Sequence, residues 1–529
     1  MNRIYRMGNR YSKRDGVIPG IEIWVNSLKI HLPGIKGGLP PQKRTSSKSC
    51  SSCLKNKNTK VANPTPFRLT FPSCQGTIRT SQTRTDFRLM NDPIPYADQA
   101  STLWNRRTFL KTLSLTSVAA GCGQLSAAFS KSHPDPNNPP RVALLATEVR
   151  RHSHAQHFID RLLEGYGWHG EHYYTRIKLA SLYVDQFPEN DLARDRERRH
   201  GVPIYPTIAE ALTQGGNKLD VDGVIIIAEH GDYPRNDKGQ KHYPRYRFFK
   251  EMVEVFENSG RSVPVFNDKH LSTDWNECVE MVEDSKRLEF AFLAGSSLPV
   301  TWRIPSVDIP WNADLRESVS VCYGGVDSYD IHGLETAQCM SERRAGGESG
   351  VKSVHAVRGA DIWPLLEKRD STRELLMAAL ARSHQCKAPN DWAFKPPTLD
   401  WIQQTSPGAV AYFIEHNDGF KTTLFMLNGL VLDFTYAGMM GNGRITSCQM
   451  HLPMPPRQTT TADFFNPLSH RIEETILSGK ATYPPERTLL TSGMTLFGVE
   501  SLYRGAVKLN TPELDVQYQV EPLSTYWRG

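Results

Sequence analysis

Residues 141–163 read RVALLATEVRRHSHAQHFIDRLL, and the fold turns on how this stretch is read. Arg141–Thr147 is a short, nearly continuous apolar run, which predicts a buried strand. Ser153–Leu163 has helical spacing, with Phe158, Leu162 and Leu163 on one face. Strand, tight turn and helix at the start of a folded region is how a dinucleotide-binding unit begins. Laid over the pattern strand-GxGxxG-helix, the three glycine positions fall on Ala146, Glu148 and Arg151. The frame is present, and all three phosphate-cradling glycines are absent.

Downstream, strands and helices alternate. Leu179–Asp185 reads as a second strand ending in an acid, Leu192–His200 as a charged helix and Val202–Tyr205 as a short strand. A helix opens at Ile208–Leu212, and Val221–Ala228 is a largely apolar strand suited to a sheet covered on both faces. Helix Tyr246–Asn258, strand Val263–Phe266 and helix Trp275–Leu288 complete the pattern. Alternation of this kind predicts right-handed crossovers and a doubly wound parallel sheet over residues 141–298.

The pattern changes at about Pro299. Ala409–Glu415, Phe420–Leu427, Leu430–Ala437 and Ile445–Leu452 read as consecutive strands, punctuated by Asn417-Asp418-Gly419 and by Asn428-Gly429, a strong hairpin signal. Residues 299–529 are therefore expected to form an α+β domain with a large, mostly antiparallel open sheet. Tyr412, Leu424, Phe425, Leu432 and Phe434 offer its faces apolar side chains, and the free face is expected to carry a homo-oligomer contact.

Charge divides the chain elsewhere. Residues 1–89 hold 17 Lys/Arg against 3 Asp/Glu, leaving 46 against 53 in the remainder, so a basic extension of +14 precedes a body of −7. Nucleic acid is not an expected partner of that body. The extension has a disordered or untranslated composition. Met90 lies shortly before Asn105-Arg106-Arg107-Thr108-Phe109-Leu110-Lys111, a twin-arginine motif followed by the modest apolar segment Thr112–Gly121. Residues 90–140 are accordingly expected to be a bacterial Tat export signal and linker, handled by the Tat machinery and delivering the protein to the periplasm. The exit reads either as cleavage near Ser126-Ala127-Ala128 or as a lipoprotein box ending at Cys122.

Ser262-Val263-Pro264-Val265-Phe266-Asn267-Asp268-Lys269-His270-Leu271 resembles the strand and Glu-Lys-Pro segment of the glucose-fructose oxidoreductase/inositol dehydrogenase (Gfo/Idh/MocA) family, with Asp268-Lys269-His270 in place of Glu-Lys-Pro. Val142–Phe158 is similar to that family's opening, including its frequent histidine at His154. Gly201-Val202-Pro203-Ile204-Tyr205 resembles its third strand, and Gly324-Gly325 followed by His332 and Glu335 its Gly-Gly…Asp-x-x-x-His block, with Ser328 at the acid's position.

The resemblance implies a small-molecule substrate, a sugar, polyol or related hydroxy compound, oxidised or reduced with NAD or NADP. It places Lys269 and His332 at the reacting carbon as proton-handling catalytic residues. Cofactor contacts fall on Ala146, Thr147, Glu148, Arg151, His154, Asp185, Glu229 and His230. Asp185 matches the acid that binds the adenine-ribose hydroxyls and favours NAD, and reads nearly as well as a turn or capping residue. Three departures weigh on the redox reading: Glu148 brings bulk and negative charge to the pyrophosphate, Arg151 keeps helix and strand apart, and Ser328 replaces an acid.

A second constellation is visible from position alone. Glu229-His230-Gly231-Asp232 follows a strand at its carboxyl end, and Asp268 and His270 are expected to face the same crevice, where open α/β sheets bind ligands. His332 and Glu335 share a helix face. These residues suit metal-assisted or purely acid–base chemistry on a carbohydrate, although their spacing matches no metal motif and no metal ligands are assigned. A non-catalytic carbohydrate-binding protein on the same scaffold is the third expectation.

Overall fold

The computed structural model describes residues 138–389 and 397–528. The basic extension, the twin-arginine segment and Cys122 lie outside the described residues.

The quoted stretch forms strand β1 (Arg141–Ala146) and helix α1 (His154–Glu164). Alternate residues of β1 enter two different cores. Val142, Leu144 and Ala146 pack on one side, and Ala143 and Leu145 on the other. That is why the run is apolar throughout rather than alternating. Each fully buried Val or Leu here is worth about 1.5–3 kcal/mol over an exposed one.

Strands β2 (Lys178–Val184), β3 (Ile204–Tyr205), β4 (Gly223–Ile227), β5 (Val265–Asp268) and β6 (Phe292–Gly295) join β1 in the order β3-β2-β1-β4-β5-β6. Every pairing is parallel. This is the doubly wound dinucleotide-fold order expected from the alternation. Helices α2 (Ala193–His200), α3 (Ile208–Thr213), α4 (Arg245–Ser259) and α5 (Trp275–Arg287) make the crossovers. The sequence reading of β5 stopped two residues short; the strand runs through Asp268 because its backbone pairs with Gly295 of β6.

The second sheet has eight strands. β7 (Arg303–Ile304), β8 (Leu315–Cys322), β9 (Val351–Arg358), β10 (Val410–His416), β11 (Lys421–Met426), β12 (Phe434–Met440), β13 (Ile445–Met450) and β14 (Leu509–Asn510) lie in the order β14-β9-β10-β11-β8-β12-β13-β7. Only β8 and β11 pair in parallel. The hairpin expected at Asn428-Gly429 is not there. β8 inserts between β11 and β12, and Asn428 instead clamps the end of β8, accepting from Gly324 N–H at 2.7 Å and donating to Gly324 C=O at 2.9 Å. The turn signal was real, but the residue serves a strand a hundred positions earlier.

The sheet face expected to carry an oligomer contact is covered within the chain. Val319, Val321, Phe413, Phe425, Leu427 and Ala437 pack beneath Ile362, Leu366 and α7 (Asp370–Leu380), with Leu375, Leu376 and Ala379 wholly buried. Tyr412, Leu424 and Phe434 point to the opposite face, which shares a core with the parallel sheet. Helix α6 (Asp330–Ser341) runs through that core with all twelve residues buried. The chain then returns to the first sheet through α8 (Phe465–Ser478) and α9 (Pro485–Tyr503). In α9, Leu489 and Leu490 enter different cores.

Candidate functional site

Strands β1, β4 and β5 end along one edge of the parallel sheet, and the start of α6 and residues 452–465 close over that edge. Between them lies a cavity of about 200 Å³ lined by His152, His154, His157, Glu229, His230, Tyr243, Arg245, Lys269, Asp327 and Tyr329, with Met454, Phe464 and Phe465 as an apolar wall. A smaller pocket of about 30 Å³ shares His154, Lys269 and Tyr329 and adds Ser296, Ser297 and His332.

Glu229 anchors the charges. Its Oε2 accepts from Lys269 Nζ at 3.0 Å, and its Oε1 from Arg245 Nη2. Burial alone would push this carboxyl up; Arg245, and then Lys269, hold it well below the usual carboxylate range. Burial likewise opposes charge on Lys269, and Glu229 more than offsets it, so the ammonium is held above its ordinary value. The result is a fixed positive charge at the cavity wall.

Beside it, His154 Nδ1 and Asp268 Oδ2 share a hydrogen bond of 2.6 Å. Burial, and then the negative Glu229, push Asp268 up to about 8, while burial and then Lys269 hold His154 well below its usual value. The two directions agree in assigning the shared proton to Asp268 at neutral pH, donated to a neutral imidazole. His157 and His230 are also neutral, each lowered to about 3, chiefly by burial. His332 stands with Nδ1 3.5 Å from Glu335 Oε2, too long for a hydrogen bond. Glu335 is occupied by Ser296, whose N–H donates at 2.8 Å and whose hydroxyl donates as well.

Two independent features set this cavity apart. Ten described non-glycine residues have positive φ, and four of them line it: His152 (63°), His230 (73°), Lys269 (62°) and Asp327 (69°). Such conformations cost about 1–3 kcal/mol each and collect where geometry is held for a purpose. Buried polar atoms without a partner gather here too, namely His157 Nε2, His230 Nε2, His332 Nδ1 and Asp268 Oδ1. Most buried polar groups are satisfied, so a cluster of exceptions points to a ligand.

Of the residues singled out in the sequence, His154, Glu229, His230, Lys269, Ser328 and His332 line these two pockets. Ala146, Thr147, Glu148, Arg151 and Asp185 do not. Ala146 and Thr147 are wholly buried; Thr147 Oγ1 donates to Glu229 C=O at 2.6 Å and so braces the strand end. Arg151 is exposed. His270 turns away from the crevice, buried with Nδ1 3.2 Å from Ser272 C=O. Arg245, Tyr329, His152 and His157 were missed. The run His152-Ser-His154-Ala-Gln-His157 was a visible signal for the histidines, whereas Arg245 carried none.

The same residues bear on a metal and on a dinucleotide. Among the described residues no three of His, Cys, Asp and Glu converge as metal ligands, and both Glu229 oxygens are held by cations. The middle fingerprint glycine lets backbone approach a pyrophosphate. Glu148 stands there instead, its side chain only 8% exposed and paired with Arg150 Nε at 2.5 Å. The N-terminus of α1, a natural phosphate seat, is closed by its own side chains. Ser153 Oγ accepts from Gln156 N–H at 3.2 Å and Arg150 N–H at 3.1 Å, and Gln156 Oε1 accepts from His152 N–H at 2.9 Å. A cavity of about 200 Å³ also falls short of the roughly 300–1,000 Å³ of drug-sized ligand sites. The residues present do not fit a dinucleotide.

No protein-family model matches the chain, and no curated protein matches it by sequence. Among solved structures it is similar to scyllo-inositol dehydrogenase from Lactobacillus casei (10% identity, TM-score 0.42, covering 70% of this chain and 98% of that one). It is likewise similar to GenD2 from gentamicin A biosynthesis in complex with NAD (10%, 0.42, 73% and 99%) and to a myo-inositol dehydrogenase from Corynebacterium glutamicum (11%, 0.42, 70% and 98%). The fold itself rests on the strand order and register above. Inositol dehydrogenases, the type of protein the sequence resembles, are thus among the structures to which this chain is similar.

Proposed function

We propose that this chain is a proton-transfer enzyme, of isomerase or lyase type, acting on one small polyhydroxylated compound of the sugar or polyol class. The observation that carries the reading is the convergence, in a strained cavity and the small pocket adjoining it, of a fixed ammonium with proton-carrying groups. Lys269, held charged by Glu229, stabilises the oxygen on which negative charge develops when a neighbouring carbon gives up its proton. His332, with a free ring nitrogen, accepts that proton. The Asp268–His154 pair holds a second proton ready for the oxygen that leaves or is re-protonated. Met454, Phe464 and Phe465 supply the apolar wall against which a sugar ring packs, and the polar groups opposite orient its hydroxyls. Export by the Tat route to the periplasm, either soluble or anchored at Cys122, belongs to the same proposal.

Hydride transfer with a nicotinamide cofactor is the second reading. It is favoured by Lys269 and His332 lining adjoining pockets, and it is opposed by Glu148 and the capped α1 terminus. Incubation with a panel of sugars, polyols and their keto derivatives in deuterated water, without added cofactor, separates the readings. Solvent deuterium at a substrate carbon, lost in Lys269→Ala, is the expected result. Turnover that requires NAD(P)(H) favours the second reading, and saturable sugar binding with no exchange leaves a binding protein.

A further inference from the structure

The carboxyl end of β2 is joined to the loop after β4 across the end of β1, which lies between them in the sheet. Asp185, in the position of a ribose-binding acid, has both oxygens taken. Oδ1 accepts from Tyr183 Oη at 2.5 Å and Arg247 Nη2 at 2.6 Å, and Oδ2 from Tyr233 Oη at 2.6 Å. The next residue, Gln186, holds the same loop through its side-chain amide. Its Oε1 accepts from Asp232 N–H at 2.8 Å and its Nε2 donates to Asp232 C=O at 2.9 Å. Lys241 Nζ ties down Gly231 C=O at 2.5 Å. Tyr233 is further packed against Tyr243, a wall of the cavity, with ring centroids 5.8 Å apart.

We infer that the dinucleotide crevice of this fold is closed by the chain itself. The Tyr233 hydroxyl occupies Asp185 where a ribose hydroxyl would bind, and the buried Glu148 carboxylate stands in the turn where a pyrophosphate would lie. The strap Glu229–Tyr233 separates the catalytic cavity from the adenosine half of the crevice. The cavity keeps room for one small molecule, and the scaffold no longer takes NAD or NADP. This conclusion concerns binding and stands apart from whichever reaction the cavity performs.

The test is titration calorimetry of the purified full-length protein with NADH and NADPH, with native mass spectrometry for any nucleotide that co-purifies. The double variant Glu148→Gly/Tyr233→Phe is titrated alongside, after its melting temperature has shown it folded. Wild type is expected to show no saturable binding up to ~1 mM, and the double variant to bind at least ~10-fold more tightly than that limit. Saturable wild-type binding below ~1 mM, or a co-purifying dinucleotide, overturns the inference. A folded double variant that still fails to bind overturns the assignment of closure to Glu148 and Tyr233.

Discussion

His154 Nδ1 lies 2.6 Å from Asp268 Oδ2, and the hydrogen bond joins the first residue of α1 to the last residue of β5 across 114 positions of sequence. Burial, and then the charge of Glu229, keep this carboxylic acid protonated at neutral pH beside a fixed ammonium, which has a consequence for stability. An unfolded aspartate loses its proton near pH 4, and Asp268 in the folded chain near 8. Between those values the folded state holds the extra proton. Its contribution to stability is complete below about pH 4 and drains away as pH rises, at up to about 1.4 kcal/mol per unit. His154 acts in the opposite sense, costing stability only as pH falls below its ordinary 6.5. Asp268→Asn preserves the shape without titrating. Denaturant melts of both proteins from pH 5 to 8 should show the variant gaining steadily on wild type. A constant difference across that range would rule out a protonated Asp268.

Glu229 faces two cations, so its removal and the removal of Lys269 are not equivalent. Glu229→Gln leaves Arg245 and Lys269 buried without their counter-charge and is expected to cost about 3–5 kcal/mol. Lys269→Met leaves the Glu229–Arg245 pair intact, so it should cost much less stability while abolishing turnover. If Lys269→Met proves the more damaging to stability, Lys269 is a structural cation rather than a catalytic one.

The parallel sheet was legible because β1 and β4 are short apolar runs flanked by amphipathic helices, and burial on both faces writes itself directly into composition. The second sheet was half legible. Local hairpin chemistry identified β10 and β11, but nothing local announces that β8, more than a hundred residues earlier, inserts beside β11. At the site, Glu229 could be placed from the end of a strand, and His154, Lys269 and His332 from the resemblance to a known family. The Tyr233–Asp185 closure could not, because it depends on how the loop after β4 folds back rather than on any motif. The missing glycines gave warning, however, and the capped turn is their physical counterpart.

Export is tested on two residues. Replacing Arg106 and Arg107 by lysine keeps the charge and removes only the guanidinium pair that defines the motif. A reporter that folds before transport, fused after residue 140, should reach the periplasm behind the native segment and stay in the cytoplasm behind the double-lysine one. Equal delivery by both would dismiss the Tat assignment.

Two glycines separate backbone strain from damage to the site. Gly295, at the end of β6, has φ of +121°, and a Cβ there would lie 2.6 Å from Glu335 Oε1. Gly443, in the turn before β13, has φ of +82° and open space around the same point. Both alanine variants carry the left-handed penalty, about 1 kcal/mol or somewhat more. Only Gly295→Ala also pushes Glu335 off the Ser296 N–H and hydroxyl that hold it, and Glu335 is the carboxylate 3.5 Å from His332. Gly443→Ala should therefore lower the unfolding free energy and leave turnover and its pH profile unchanged. Gly295→Ala should reduce turnover by more than its stability loss explains. If the two variants differ only in stability, Glu335 does not position His332, and the proton-accepting role belongs elsewhere in the cavity.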